Sequence, residues 1–123
     1  MKKILEVFTK SDGETQKFAK LFASEILKFN PPGPKALVVG LEGELGAGKT
    51  AFAKGFAKGL GIEETMKSPT FILMRAFRIP KTKKHFVHLD AYRIVNSKEF
   101  SALGFKNLLK DRSNIVLVEW SDR

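Results

Sequence analysis

The 123-residue chain contains no cysteine. It therefore has neither a disulfide framework nor a thiolate metal site. It also lacks any apolar run of membrane-spanning length, and Glu6 and Lys10 interrupt the N-terminal stretch well before the length of a secretory signal. These absences predict a protein of the reducing cytoplasm that has no membrane association.

The composition is that of one ordinary globular domain, with 43% apolar and 28% charged residues and no low-complexity segment. The formal charge of +9 is the one bulk property that favours a polyanionic partner. The basic residues are scattered, however, except for a cluster at Lys81, Lys83 and Lys84. The charge therefore fits either solubility or contact with nucleic acid.

Hydrophobic periodicity predicts an alternation of helices and strands. Apolar residues from Phe18 to Phe29 recur every three or four positions, so residues 14–30 should form an amphipathic helix that Ser11 or Asp12 caps. A second helix should run from Thr50 to Leu60 and be closed by Gly59 and Gly61. The remaining predicted elements are strands at Ala36–Leu41, Phe71–Ile79, His85–Leu89 and Ile115–Val118, a basic turn at Pro80–Lys84 and a helix at Ser97–Leu103.

The most specific motif is Gly43-Glu44-Leu45-Gly46-Ala47-Gly48-Lys49-Thr50, which fits the phosphate-binding pattern G-x-x-x-x-G-K-[ST]. It lies between a predicted strand and a predicted helix, as this motif requires. Backbone N–H groups from Glu44 to Gly48 should surround a phosphate, and Lys49 should reach the β- and γ-phosphates. The Thr50 hydroxyl should bind magnesium. The motif predicts an α/β, P-loop NTPase-type three-layer fold with a mostly parallel sheet over residues 1–123.

Acidic residues follow two other predicted strands. Glu119 ends the run Ile115–Val118 and is the candidate for the magnesium shell. Asp90 should order an attacking water or a magnesium-bound water. It belongs to the segment His88-Leu89-Asp90-Ala91-Tyr92-Arg93, which has four polar functional groups within six residues. Taken without any family, His88 and Tyr92 are more typical of packing residues than of catalysts.

The sequence favours ATP over GTP, because it contains no Asn-Lys-x-Asp element for guanine recognition. A kinase of a small metabolite is the first alternative, in which the segment Arg75–Lys84 would serve as a loose lid over the phosphates. A basic RNA-binding module with an inactive nucleotide site is the second alternative. We expect ATP and Mg²⁺ as the cofactors in the favoured interpretation.

Four motifs in the same order resemble the TsaE family of bacterial ATPases. They are Glu42–Thr50, Lys67-Ser68-Pro69-Thr70-Phe71, His88–Arg93 and Val118-Glu119-Trp120. The resemblance implies an ATPase that acts with the TsaD and TsaB proteins in the transfer of a threonylcarbamoyl group to a tRNA adenosine. The chain would then contact tRNA indirectly, through this complex. ATP hydrolysis would reset the complex between turnovers.

The resemblance also implies roles for individual residues. Thr70 matches a switch-like loop beside the γ-phosphate, and Asp90 matches the acidic residue needed for hydrolysis. Thr50 and Glu119 match magnesium ligands. Ser11 and Thr15 should lie at the border of the nucleotide site, and Thr15 is the residue expected to contact the nucleotide.

The chain departs from the family pattern in two places. Ala91 stands where the family more often has a larger apolar residue. The family also continues beyond the Glu119-Trp120 motif, whereas this chain ends at Arg123. The resemblance therefore implies a sheet that lacks its C-terminal strands, with an exposed edge strand or a self-associating surface in their place.

Overall fold

A computed structural model describes residues 8–28, 34–43, 48–64, 74–90 and 105–121. The predicted helix at Ser97–Leu103 lies outside these residues, as does the start of the strand predicted from Phe71. Every other predicted helix and strand is present with slightly shifted ends. The elements are α1 (Asp12–Lys28), β1 (Leu37–Gly43), α2 (Lys49–Gly59), β2 (Met74–Arg78), β3 (His85–Asp90), α3 (Phe105–Leu109) and β4 (Asn114–Ser121).

The four described strands form one sheet in the order β1-β4-β3-β2. β4 pairs in parallel with both β1 and β3, while β2 runs antiparallel to β3. The predicted mostly parallel sheet is therefore confirmed. Because β1, β3 and β4 run in one direction, their carboxyl ends meet at one edge of the sheet.

Helices cover both faces of the sheet. On one face α1 and α2 pack together over Phe86, Ile115 and Leu117, with the fully buried Phe56 of α2 between them and the sheet. Burying such an aromatic side chain contributes on the order of 2–3 kcal/mol. On the other face Leu108 and Leu109 of the short α3 pack against a second cluster, made of Val87, Leu89, Val116 and Val118. The alternation of these residues along β3 and β4 is that of strands buried on both sides.

The first helix begins with the predicted cap. The Glu14 backbone N–H donates to Ser11 Oγ at 3.2 Å, and Glu14 Oε1 accepts from the Lys10 N–H at 2.9 Å, a variant of the reciprocal capping box. The helix prediction placed Leu21 on the apolar side of α1. That was wrong, since Leu21 is 61% exposed. The side of α1 that packs on α2 is centred instead on Ala19 and Ala23, which are fully buried.

The second helix ends in a Schellman motif. Gly61 takes a left-handed φ of 86°, its N–H donates to the Lys58 carbonyl, and the Ile62 N–H donates to the Ala57 carbonyl. The predicted closure by Gly61 is therefore confirmed. The role predicted for Gly59 was wrong, because Gly59 is the last helical residue and lies against the backbone of α1.

Two glycines of α2 allow the close approach of the two helices. A Cβ atom built on Gly55 would lie 2.3 Å from the Gln16 carbonyl oxygen, and one built on Gly59 would lie 2.3 Å from the Lys20 carbonyl oxygen. No methyl group fits at either distance. The spacing of four residues places both glycines on one side of α2, where Ala19 and Ala23 of α1 are also small.

One edge of the described sheet is partly exposed. β1 is an edge strand, and Val38 on the α3 side is 49% exposed. None of the described helices has both the length and the apolar character needed to cross a membrane.

The close contact of the two helices predicts that replacing a glycine of α2 by alanine destabilises the protein, although helix propensity alone predicts stabilisation. Gly59→Ala should lower the free energy of unfolding by about 1–3 kcal/mol, because the new methyl group meets backbone that cannot move aside without separating α1 from α2. Urea unfolding followed by circular dichroism measures the change. Gly13→Ala is the matched control, since its Cβ would meet only Ser11 Oγ, at 3.8 Å. This control should gain up to about 1 kcal/mol from helix propensity alone. A similar gain in Gly59→Ala would contradict the proposed contact.

Candidate functional site

The candidate site lies at the edge of the sheet where the three parallel strands end. β1 ends at Gly43 and is followed along the chain by the glycine motif and α2. In the register of the sheet, Glu119 of β4 lies opposite Leu41 of β1 on one side and opposite Asp90 of β3 on the other. The fold thus brings the ends of three sequence motifs to one edge, which is where ligands bind in open α/β sheets.

A glycine, and not a side-chain cap, stands at the start of α2. Gly48 is the N-cap residue, with a left-handed φ of 88° and no side-chain cap, and its carbonyl accepts from the Phe52 N–H at 2.9 Å. A Cβ at Gly48 would have nothing within 4 Å, so glycine is required here for its backbone angle rather than for space. The N–H groups of the first turn of a helix are suited to bind an anion.

Lys49 and Thr50 occupy the first two positions of α2 and differ in exposure. Lys49 is buried, at 9% relative exposure, whereas Thr50 is exposed. A lysine that served only for solubility would extend into water, so the burial of Lys49 favours a role inside the site. The other predicted phosphate contacts, Glu44, Leu45, Gly46 and Ala47, lie outside the described residues and remain predictions.

Glu119 is held by a residue that the sequence interpretation placed among packing residues. His88 Nε2 contacts Glu119 Oε2, and the two side chains are only 4% and 16% exposed. No pattern within the sequence indicated this pair. His88 aligns with Leu117, two residues before Glu119 on the neighbouring strand, and this register is a property of the sheet.

The other predicted catalytic residues are described in part or not at all. The backbone of Asp90 ends β3 beside Glu119, but its side chain lies outside what the structure describes. Thr70 lies outside the described residues, as do Tyr92 and Arg93. β2 begins at Met74, which pairs with Leu89 at this same edge of the sheet.

Ser11 and Thr15 form part of the cap of α1. The Thr15 hydroxyl donates to the Ser11 carbonyl at 3.0 Å and lies 2.6 Å from the Thr9 hydroxyl, and both Ser11 and Thr9 are exposed. These contacts give both residues a structural role. Their predicted contact with the nucleotide remains a prediction.

The donor types of the site fit a magnesium ion bound together with a nucleotide. Among the described residues there is no group of three or more His, Cys, Asp or Glu side chains that would hold a metal alone. Magnesium in nucleotide sites takes one or two protein oxygens and completes its shell with phosphates and water. The Thr50 hydroxyl and the Glu119 carboxylate are oxygens of this kind.

A cavity of about 560 Å³ lies elsewhere, along the later turns of α2. It is lined by Lys54, Ala57, Lys58, Gly61, Ile62, Glu63 and Glu64. It shares no residue with the candidate site, and its charges are of both signs. It is therefore not the predicted phosphate site.

The left-handed N-cap gives a test of the loop geometry. Gly48→Ala should lower the free energy of unfolding by about 1–2 kcal/mol, because a side chain disfavours the left-handed backbone. Gly40→Ala is the control, since a Cβ there also meets nothing within 4 Å but the backbone angle is ordinary. Thermal and urea unfolding of both variants give the comparison. Equal stabilities of the two variants would contradict the strained N-cap.

Comparison with known proteins identifies the family. Residues 9–123 match the family described as threonylcarbamoyl adenosine biosynthesis protein TsaE. Proteins named tRNA threonylcarbamoyladenosine biosynthesis protein TsaE are 36% identical over 107 residues in Haemophilus influenzae and 41% identical over 113 residues in Rickettsia prowazekii. These alignments cover 87% and 91% of this chain.

The solved structure of Bacillus subtilis YdiB superimposes with a TM-score of 0.62 at 33% identity, over 91% of this chain. The chain spans 65% of the Haemophilus protein, 71% of the Rickettsia protein and 61% of the YdiB chain. The ordered motifs, the α/β fold and these matches agree, and the chain belongs to the TsaE family.

Proposed function

We propose that this chain binds and slowly hydrolyses ATP, and that it acts with TsaD and TsaB in the threonylcarbamoylation of tRNA. One observation carries the nucleotide part of the proposal. The left-handed Gly48 and the buried Lys49 stand at the start of α2, the next element of the chain after β1, and Glu119 lies near the carboxyl end of β4, which pairs with β1. The relatives' names support the part that concerns tRNA.

In this proposal each residue acts on the phosphates or on water. The N–H groups at the start of α2 and the Lys49 ammonium bind the β- and γ-phosphates. Thr50 and Glu119 hold magnesium, which neutralises charge on the phosphates when it is bound. Asp90 orients the attacking water. Thr70 acts beside the γ-phosphate, in the role that the family resemblance implies.

The structure is unfavourable to the kinase alternative in one respect. That alternative requires the segment Arg75–Lys84 to act as a lid, yet these residues form most of β2 and the turn that joins it to β3 in a hairpin. Five residue pairs from Met74↔Leu89 to Arg78↔His85 join its strands, and Ile79 at its turn is fully buried. Arg75 lies over the Phe77 ring at 5.8 Å. A strand pair anchored in the core is poorly suited to open and close over a substrate.

The basic cluster of the RNA-binding alternative lies away from the candidate site. Lys81, Lys83 and Lys84 belong to the hairpin turn before His85, and His85 pairs with Asn114 at the start of β4. Glu119 and Asp90 lie at the opposite end of the same two strands. Contact of this cluster with RNA would therefore be separate from nucleotide binding.

Calorimetric titration tests the nucleotide site. Magnesium ATP should bind more tightly than magnesium GTP, and Lys49→Ala should weaken ATP binding on the order of 10- to 100-fold, because it removes a charged hydrogen bond to phosphate. Lys58→Ala is the matched control, since Lys58 is an exposed lysine of the same helix. This control should bind as the wild type does. Equal affinities of wild type and Lys49→Ala would overturn the site.

Turnover tests the dependence on partners. The chain alone should hydrolyse ATP far below the ordinary enzyme rate of about 10 per second, because small P-loop domains often receive a stabilising group from a partner. Addition of purified TsaD and TsaB should raise the rate, and ATP should promote their capture by the chain. Fast unstimulated hydrolysis would contradict this prediction. Transfer of the labelled γ-phosphate to a metabolite would favour the kinase.

A further inference from the structure

The contact between His88 and Glu119 is more specific than packing requires. His88 lies on β3 and Glu119 on β4, and the imidazole nitrogen Nε2 contacts one carboxylate oxygen, Oε2. A carboxylate accepts hydrogen bonds, so we assign the hydrogen of this contact to Nε2.

The surroundings of His88 hold its ring in one orientation. The side chain is 4% exposed, and its ring stacks on Phe86 with centroids 6.2 Å apart and planes 10° apart. The second ring nitrogen, Nδ1, is buried and has no hydrogen-bond partner within the part of the chain that the structure describes. The only polar contact described for this ring is thus the one with Glu119. This favours a specific hydrogen-bond donor over a residue that serves only for packing.

Glu119 needs such a donor if its carboxylate is to take one fixed position. Its side chain has several rotatable bonds, lies near the carboxyl end of β4 and is mostly removed from water. A hydrogen bond from His88 to Oε2 would leave Oε1 as the oxygen directed at a ligand. Residues that hydrogen-bond to metal ligands typically change metal affinity or activity 10- to 100-fold when they are mutated.

We propose that His88 is a positioning residue that holds Glu119, through its Nε2–H donor, in the orientation in which Glu119 supports magnesium–nucleotide binding. This inference rests on the proposed function, because it assigns Glu119 to the magnesium shell. His88 itself touches neither magnesium nor nucleotide in this role. It acts through the orientation of one carboxylate.

The first test needs neither metal nor nucleotide. Long-range ¹H–¹⁵N spectra of the free chain should show His88 with hydrogen on Nε2, and that hydrogen should exchange slowly with water. The chain has two histidines, so His85→Gln assigns the signals. Glu119→Ala should make the Nε2 hydrogen exchange rapidly. Hydrogen on Nδ1 alone, or exchange unchanged in Glu119→Ala, would overturn the inference.

The second test measures how strongly magnesium improves ATP binding, as the ratio of the dissociation constants in EDTA and in magnesium. His88→Leu, which replaces the imidazole with an apolar side chain of similar volume, should reduce this ratio about 10-fold or more. Its affinity in EDTA should match that of the wild type. His88→Gln places an amide N–H donor near the position of Nε2 and should retain most of the ratio. A merely structural role predicts that His88→Leu and His88→Gln lower both affinities together.

The controls separate this inference from the proposed function. Glu119→Gln should lose the magnesium effect, and His88→Leu combined with Glu119→Gln should lose no more than Glu119→Gln alone. If wild type shows no magnesium effect, or Glu119→Gln retains it, the proposed function of Glu119 is overturned and this inference with it. If wild type and Glu119→Gln behave as proposed while His88→Leu keeps the full effect, this inference alone is wrong. Urea unfolding confirms that each variant is folded, and the spectra of the free chain decide the question if His88→Leu is not.

Discussion

The candidate site depends on the parallel pairing of β4 with two strands that are far from it in sequence. β4 lies between β1 and β3, and its register sets Glu119 opposite Leu41 and Asp90 at the same time. Because side chains alternate along a strand, a shift of one residue would turn Glu119 to the α3 face and Val118 to the α2 face. The buried valines and leucines on both faces therefore determine the position of the acidic residues.

The packing of α1 on α2 positions α2, whose first turn belongs to the candidate site. Small residues meet at the contact, with Gly55 and Gly59 of α2 against the backbone of α1. Aromatic rings flank the contact and continue into the sheet, from Phe22 through Phe56 to Phe86. Such packing holds the first turn of α2, and with it Gly48 and Lys49, in a defined position over the sheet. Phosphate binding needs this precision because the backbone donors act only over hydrogen-bond distances.

The polar groups of the site are costly in isolation and acceptable together. Glu119 and His88 are both largely buried, so each loses hydrogen bonds to water on folding. Their contact offsets part of that loss and gives the carboxylate a direction. The stacking of His88 on Phe86 links this polar pair to the apolar core. The pair is thus tied to the same packing that sets the strand register.

The sequence by itself determined the elements and the chemistry of the motifs. The valine-rich runs predicted strands, although β1 is a partly exposed edge strand of the described sheet, and the glycine motif predicted a turn before α2, where Gly48 is left-handed. Local pattern was enough for these because each depends on backbone preferences or on side-chain periodicity within one segment.

Only the tertiary structure decided which of these segments meet. It turned Leu21 outward and gave Gly59 a packing role, because the approach of α1 to α2 depends on small residues on both helices rather than on the most apolar stripe. It also made His88 the partner of Glu119, although 31 residues separate them in the chain. Such a contact follows from the strand order β4-β3, and strand order is set by the burial of whole faces, which no local window of sequence records.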